Sequence, residues 1–274
     1  MKFNYGIMQG RLSKQIENKI QAFPEKNWYL EFSKAKNLGL KNIEWTLDYK
    51  DLYKNPFLTK KGQIKIKQLS AKYSIKINSV TGDCFMQKPF WKTKNNKKLI
   101  VDLKKVIESC KKLGVKYIVV PIVDNGSIKN QNQLNNLLKH CNEIVKDLYN
   151  SKIKILFESD YSPKKLKKFI KKFNKNYFGI NYDVGNSAAL EYSIDDEFKY
   201  YGQYIYNVHI KDRIKNGNTI RLGKGNANFF KLFENLKKIN FKENLILQTA
   251  RSSNNQHMKE IKVNLKYLKK INEN

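Results

Sequence analysis

Three residues define the chemistry this chain could do. Glu158, Asp183 and His209 each stand at or near the end of a short apolar run, in ILFES, FGINYD and IYNVHI. An unpaired carboxylate is costly inside an apolar strand, so these groups point to a rim rather than a packed core. Two carboxylates and an imidazole, delivered at equal depth by successive strands, suit a divalent ion such as Mn²⁺, Mg²⁺, Co²⁺ or Zn²⁺. Singly, each also reads as a helix-capping carboxylate or a histidine bonded into a wall. Jointly they read as a metal site.

The elements that must position them follow from the apolar pattern. Strand-like runs span 3–8, 42–46, 75–80, 117–121, 153–158, 178–183, 205–210 and 244–249. Helical patterns fall between and after them at 28–38, 59–73, 97–113, 131–149, 162–173, 194–201, 229–237 and 256–271. In the third helix Leu99, Leu103, Val106, Ile107, Cys110 and Leu113 recur at helical spacing until Gly114 stops it. The following run YIVVP is apolar on both faces, as a parallel strand covered by helices must be. Strict alternation over residues 1–274, with no linker or change of composition, predicts one α/β domain, a (β/α)8 TIM barrel. An open doubly wound sheet would want a glycine-rich turn after the first strand, and only Gly10 is there.

The bulk composition removes other classes. Lys and Arg number 54 against 24 Asp and Glu, a formal charge of +30. The lysines are spread over nearly every helix, so they read as solvated faces and not as a nucleic-acid stripe. Cys84, Cys110 and Cys141 lack CxxC spacing and predict neither disulfides nor a zinc knuckle. The opening MKFNYGIMQGRL lacks the apolar segment of a signal peptide, and no run is long enough to span a bilayer, which predicts a cytoplasmic protein. Oligomeric state is open.

In a closed α/β barrel the site is built where strands end. The other strand ends supply Gln9, Gly10 and Arg11; Glu44 and Trp45; Asp83 and Cys84; Lys211, Asp212 and Arg213; and Gln248 and Arg251. Gln9, Arg11, Lys211, Arg213 and Arg251 form the expected substrate-binding set. Arginines suit bidentate recognition of phosphate or carboxylate. The alternative is that they neutralise Asp83, Asp212 and Glu44 in rim salt bridges. Backbone amides around Gly223 and Gly225 could also hold an anion. Trp45, Phe85, Phe90 and Trp91 are either a cover for a sugar ring or core.

FESD around Glu158, NYDVGN around Asp183, VHIKDR around His209, LGKGNANF, LILQTAR around Gln248 and the opening GIMQGRL resemble the sugar phosphate isomerase/epimerase family. Its barrel is xylose isomerase-like, and its distant relatives include tagatose/psicose 3-epimerases and endonuclease IV. The likeness runs over essentially the whole chain. It implies a small carbohydrate substrate, possible phosphorylation or acidity of that sugar, and a metal quartet of Glu, Asp, His and Glu. Here the quartet maps to Glu158, Asp183, His209 and Gln248. The last position departs from the pattern, because an amide offers a metal its carbonyl oxygen but carries no charge and accepts no proton at neutral pH.

That departure bears on the reaction. The 3-epimerases of this family place two glutamates on opposite faces of one carbon, and here Glu158 alone remains as an obvious base. One base suffices for aldose–ketose isomerisation through an enediolate, with Glu44 as the reserve acid/base, or else as a wall carboxylate paired with Arg11. The resemblance leaves two other outcomes open, a catalytically silent sugar-binding barrel and a dehydratase or lyase. An endonuclease IV-type trinuclear zinc site is not expected. Of three histidines only His209 stands at a strand end, and Asn186 occupies the place of a histidine ligand.

Overall fold

The computed structural model describes residues 3–17, 19–252 and 254–273. Eight parallel strands close into a barrel: β1 (Asn4–Met8), β2 (Asn42–Thr46), β3 (Ser79–Thr81), β4 (Tyr117–Ile122), β5 (Lys154–Ser159), β6 (Phe178–Asp183), β7 (Ile205–Ile210) and β8 (Asn244–Leu247). Neighbours in sequence pair in space, and β8 returns to β1 through Asn4↔Asn244 to Ile7↔Leu247. A strand edge left open would be a template for foreign pairing, and closure removes it. The expected α/β barrel is therefore the observed fold.

Alternation along each strand sorts its side chains to two faces. Ile43 and Trp45, Val80, Ile118 and Val120, Phe157, Ile180, Val208, Leu245 and Leu247 all belong to one continuous buried core with the surrounding helices. Asn42, Glu44, Thr46, Ser79, Thr81, Asn181, Asp183, Asn207 and His209 occupy the alternate positions and are equally buried. The barrel interior is thus polar towards its C-terminal end. Near the other end Tyr117, Val119 and Leu156 form a small separate apolar cluster with Tyr206 against it.

The helices start and stop on local chemistry. Thr59 caps Lys60–Tyr73 by accepting from Gly62 N at 3.1 Å, and Asn130 caps Gln131–Glu143 by accepting from Gln133 N at 3.0 Å. Gly114, at φ 71°, ends Lys97–Leu113 with its amide returning to Cys110 and Lys111 carbonyls. The expected helix over 131–149 divides at Ile144, where ψ relaxes to −1°. The expected third strand over 75–80 is shorter and later, because after the Asn42↔Lys76 bridge regular pairing resumes only at Ser79. Two strand ends continue into short helices that the pattern did not mark, Asp83–Gln87 after β3 and Val184–Ala189 after β6.

A two-stranded ribbon, Asp212–Arg213 with Thr219–Ile220, follows β7. Asp212 is fully buried and accepts from Gly223 N and Gly225 N, both at 2.9 Å, and from Ala227 N at 3.0 Å. The amides expected to be available for an anion are therefore already occupied by a carboxylate of the chain itself. Replacing Asp212 by Ala would leave those three amides without their acceptor. Chemical denaturation is expected to show a loss of about 2–4 kcal/mol; an unchanged midpoint and slope would refute this account of the loop.

Candidate metal and active site

The site begins with one carboxylate inside the barrel. Glu44 on β2 is fully buried, and its two oxygens accept from Ser79 Oγ and Thr81 Oγ1 on β3 and from Asn207 Nδ2 on β7 at 2.7 Å. The fourth partner is His209 Nε2, 2.6 Å from Oε1. All four acceptor positions of the carboxylate are then taken. Burial alone would raise the Glu44 carboxyl, but the charge and hydrogen bond of His209, with the two hydroxyls, hold it below the usual range. Glu44 and Arg11 are not paired; the carboxylate orients the histidine instead.

His209 presents its other nitrogen to the candidate ligands. Nδ1 lies 3.1 Å from Glu158 Oε2 and 3.0 Å from Asn181 Nδ2. Glu158 is fixed by two amides, Asn181 Nδ2 to Oε2 at 2.7 Å and Asn186 Nδ2 to Oε1 at 3.0 Å. Asn181 is itself held by Asn207 at 2.8 Å. Asp183 caps the short helix after β6 through Oδ1, which accepts from Asn186 N at 2.9 Å. Its Oδ2 is buried without a hydrogen-bond partner, with Lys211 Nζ 2.6 Å away as an ion pair.

One ligand atom each from Glu158, Asp183 and His209 lies within 4.8 Å of the other two. Three observations make this set fit a divalent cation. The donors are two carboxylates and an imidazole, and Asp183 keeps an unbonded buried oxygen. A histidine that ligates a metal usually gives its second N–H to a carboxylate, which is what Glu44 receives. The cage also draws positive charge. Burial lowers the His209 imidazole, yet the charges and hydrogen bonds of Glu44 and Glu158 outweigh it and hold it at about 10. Glu158 is in turn kept below the usual range against burial, by His209 and then Lys211.

The five expected substrate-binding residues do not form one ring. Lys211 reaches Asp183 and donates to Gln248 Oε1 at 3.1 Å. Arg213 donates to Gly217 O and to Asn186 Oδ1. Arg11 and Arg251 lie on the other side, at the ends of β1 and β8. Arg11 donates to the carbonyls of Ile20 and Thr249, and Arg251 to those of Gly10 and Ser13. Gly10 turns with φ 91°, and a Cβ there would meet Ala22 O at 2.6 Å, so this turn requires glycine. Gln9 accepts from Thr46 N at 3.1 Å and leaves Nε2 buried and unbonded. None of the expected rim bridges from these arginines to Asp83, Asp212 or Glu44 forms among the described residues. Asp212 and Glu44 are held by other donors, and the arginines donate to oxygens that carry no charge.

Several participants were not singled out from the sequence. Asn181 and Asn207 stand two residues before Asp183 and His209, and Ser79 two before Thr81, so period-two polarity inside otherwise apolar strands was the available signal. Glu31 is buried in a helix and accepts from Gly10 N, Leu12 N and Ser13 Oγ, which holds the turn after β1. The aromatics Trp45, Phe85, Phe90 and Trp91 are all core, with the indoles bonded to Asn55 and Gly126. All three cysteines are buried, and burial raises each thiol, which disfavours a thiolate nucleophile.

Asp83 is the unexpected acid. It is buried after β3, and burial, then the charges of Asp48 and Glu158, push its carboxyl up to about 8. In the unfolded chain it would ionise near the ordinary aspartate value, so the folded state binds the extra proton between about pH 4 and 8. The contribution of Asp83 to stability is therefore full below pH 4 and lost as pH rises through 8. Asp83→Asn removes that dependence. Its stability relative to the parent is expected to rise with pH across this window by at least about 1 kcal/mol, read from denaturation midpoints. A difference that stays flat with pH would place an ionised Asp83 in the fold.

Residues 32–271 match the family model described as xylose isomerase-like TIM barrel. Solved structures of that shape align over nearly the whole chain. A xylose isomerase domain protein from Planctomyces limnophilus superposes with a TM-score of 0.77 at 14% identity, covering 98% of this chain and 97% of the other. D-psicose 3-epimerase from Clostridium cellulolyticum H10, solved with D-tagatose, gives 0.75 at 16%, covering 98% and 99%. The IOLI protein with a bound zinc atom gives 0.75 at 16%, covering 98% of each. No curated protein matches the chain in sequence. The matched model spans most of the chain and the closed barrel carries it through, so this protein belongs to the xylose isomerase-like TIM barrel family.

Proposed function

We propose that this protein is a divalent-metal-dependent sugar isomerase or epimerase that moves a proton between carbons of a small carbohydrate, with one-base isomerisation favoured. The observation that carries this reading is the buried trio of Glu158, Asp183 and His209 in a barrel of this family. Glu158, Asp183 and His209 would hold the ion, with the Gln248 carbonyl as a neutral fourth donor. When bound, such an ion polarises a carbonyl and stabilises negative charge developing on oxygen.

The proton work falls to Glu158. Its low pKa keeps it ionised at neutral pH, and its two amide donors fix the carboxylate while Oε1 retains a free acceptor position. Gln248 cannot take a proton from the opposite face, and Glu44 has no free oxygen lone pair. A single carboxylate that lifts a proton from one carbon and returns it to the next is the chemistry left. Asn181 and Asn186 hold the base in place, and Glu44 holds His209.

The substrate reading extends to an anionic substituent, phosphate or carboxylate, near Arg11 and Arg251. Neither guanidinium has a carboxylate within 4 Å among the described residues, and Arg251 Nε is buried with no partner. Burial, then the charge of Arg251, lowers Arg11 to about 9 against the charges of Asp83 and Glu31. D-tagatose and D-allulose bound to structural relatives support a carbohydrate.

Two outcomes test the reading. Exchange of solvent deuterium into the carbon beside the carbonyl, followed by NMR over a panel of ketoses and their phosphates with Mn²⁺ present, is expected for at least one sugar. Glu158→Gln should reduce that exchange about 10²–10⁴-fold, and full exchange in the variant would eliminate the mechanism. Arg251→Gln should raise KM for a phosphorylated or acidic substrate about tenfold or more while kcat is retained. An unchanged KM would remove the anion from the reading.

A further inference from the structure

The residue that the family resemblance maps to the fourth corner of the candidate metal site is a neutral amide, Gln248, and a lysine of the chain donates to it. Lys211 stands two residues after His209, where β7 leaves the barrel. Its ammonium lies 2.6 Å from Asp183 Oδ2 and 3.1 Å from Gln248 Oε1. Asp183 Oδ1 accepts from the Asn186 amide, and Oδ2 is the aspartate oxygen with no hydrogen-bond partner. Gln248 Oε1 is the only oxygen of that side chain. The ammonium thus sits on the two donors that would close the site across from Glu158 and His209.

The placement is built and not incidental. The Lys211 side chain is only 12% exposed. Gly185, in the short helix capped by Asp183, packs against it so closely that a Cβ would meet Lys211 Cγ and its carbonyl carbon and oxygen at 2.9 Å. A residue without a side chain therefore makes room for the lysine stem beside the aspartate. A glutamate at position 248 would pair with the ammonium and still leave a net negative corner; glutamine leaves none. Asp183 Oδ2 and Gln248 Oε1 share a single negative charge, and a divalent ion and an ammonium held at these same oxygens would repel each other.

We propose that Lys211 and a divalent cation compete for Asp183 Oδ2 and Gln248 Oε1, so that the ion enters only as the lysine withdraws. Lys211 and Gln248 together then set the metal affinity of the site. The proposal rests on the metal reading above, and its test separates the two.

The full chain, stripped with a chelator, is titrated with Mn²⁺ alone, and free ion is read by electron paramagnetic resonance. Lys211→Met is expected to bind Mn²⁺ about tenfold or more tightly than the parent, and Gln248→Glu to tighten it as well. The double variant should gain more than the two single gains combined, because without the ammonium the new carboxylate is left wholly to the ion. Lys215→Gln, which removes an exposed lysine paired with Glu191, should leave binding unchanged and so exclude a general effect of net charge. Equal affinity of parent and Lys211→Met would overturn the competition while the metal reading stands. No binding by parent, Lys211→Met or Gln248→Glu would overturn both. Should Lys211→Met fail to fold, a crystal structure of the Mn²⁺-loaded parent decides: Nζ is expected to have left both oxygens, and an ammonium still bridging them with metal bound would overturn the proposal.

Discussion

The arrangement at the barrel mouth depends on the contact between Glu44 and His209. A fully buried carboxylate survives only when its charge is met by hydrogen bonds and a counter-charge. Glu44 obtains both from β3 and β7, two strands that do not adjoin in the barrel. The same bond fixes which nitrogen of His209 is spent inside and which faces Glu158. Through Asn207 and Asn181 the network then reaches Glu158 itself. The geometry of these side chains is therefore set largely from below, by polar side chains in the barrel interior, with Asn186 completing it from the mouth.

Charge is divided unevenly across that mouth. On one side Glu44, Glu158 and Asp183 face His209 and Lys211. On the other, Arg11 and Arg251 are held by backbone carbonyls, with no carboxylate as partner among the described residues. Asp83 lies where it feels Glu158, and Arg11 feels Asp83 in turn, so its raised carboxyl marks the boundary between the two halves. A carboxylate-rich half thus stands beside a half that carries two arginines. A neutral apolar ligand would satisfy neither.

Much of this was legible from residue types. Apolar runs ending in Glu158, Asp183 and His209 pointed to convergent strand ends, and those three residues do meet. Alternation without a glycine-rich first turn pointed to closure, and the sheet is closed. The roles of Arg11, Arg213 and Glu44 were not legible. Each had two partners compatible with its charge, and backbone carbonyls, which no sequence pattern displays, took the arginines. The amides near Gly223 and Gly225 were likewise claimed by Asp212, a residue whose proximity arises only when the ribbon folds back.

The sequence by itself determined the barrel and the identity of the ligand-type side chains, because periodicity and residue chemistry are local properties. Only the tertiary structure decided that Glu44 supports His209, that Lys211 occupies the Gln248 corner, and that Asp83 is held largely protonated near neutral pH. Those outcomes depend on distances between atoms far apart in the chain and on how much water burial removes from around them. A string of residues encodes neither quantity until the barrel closes.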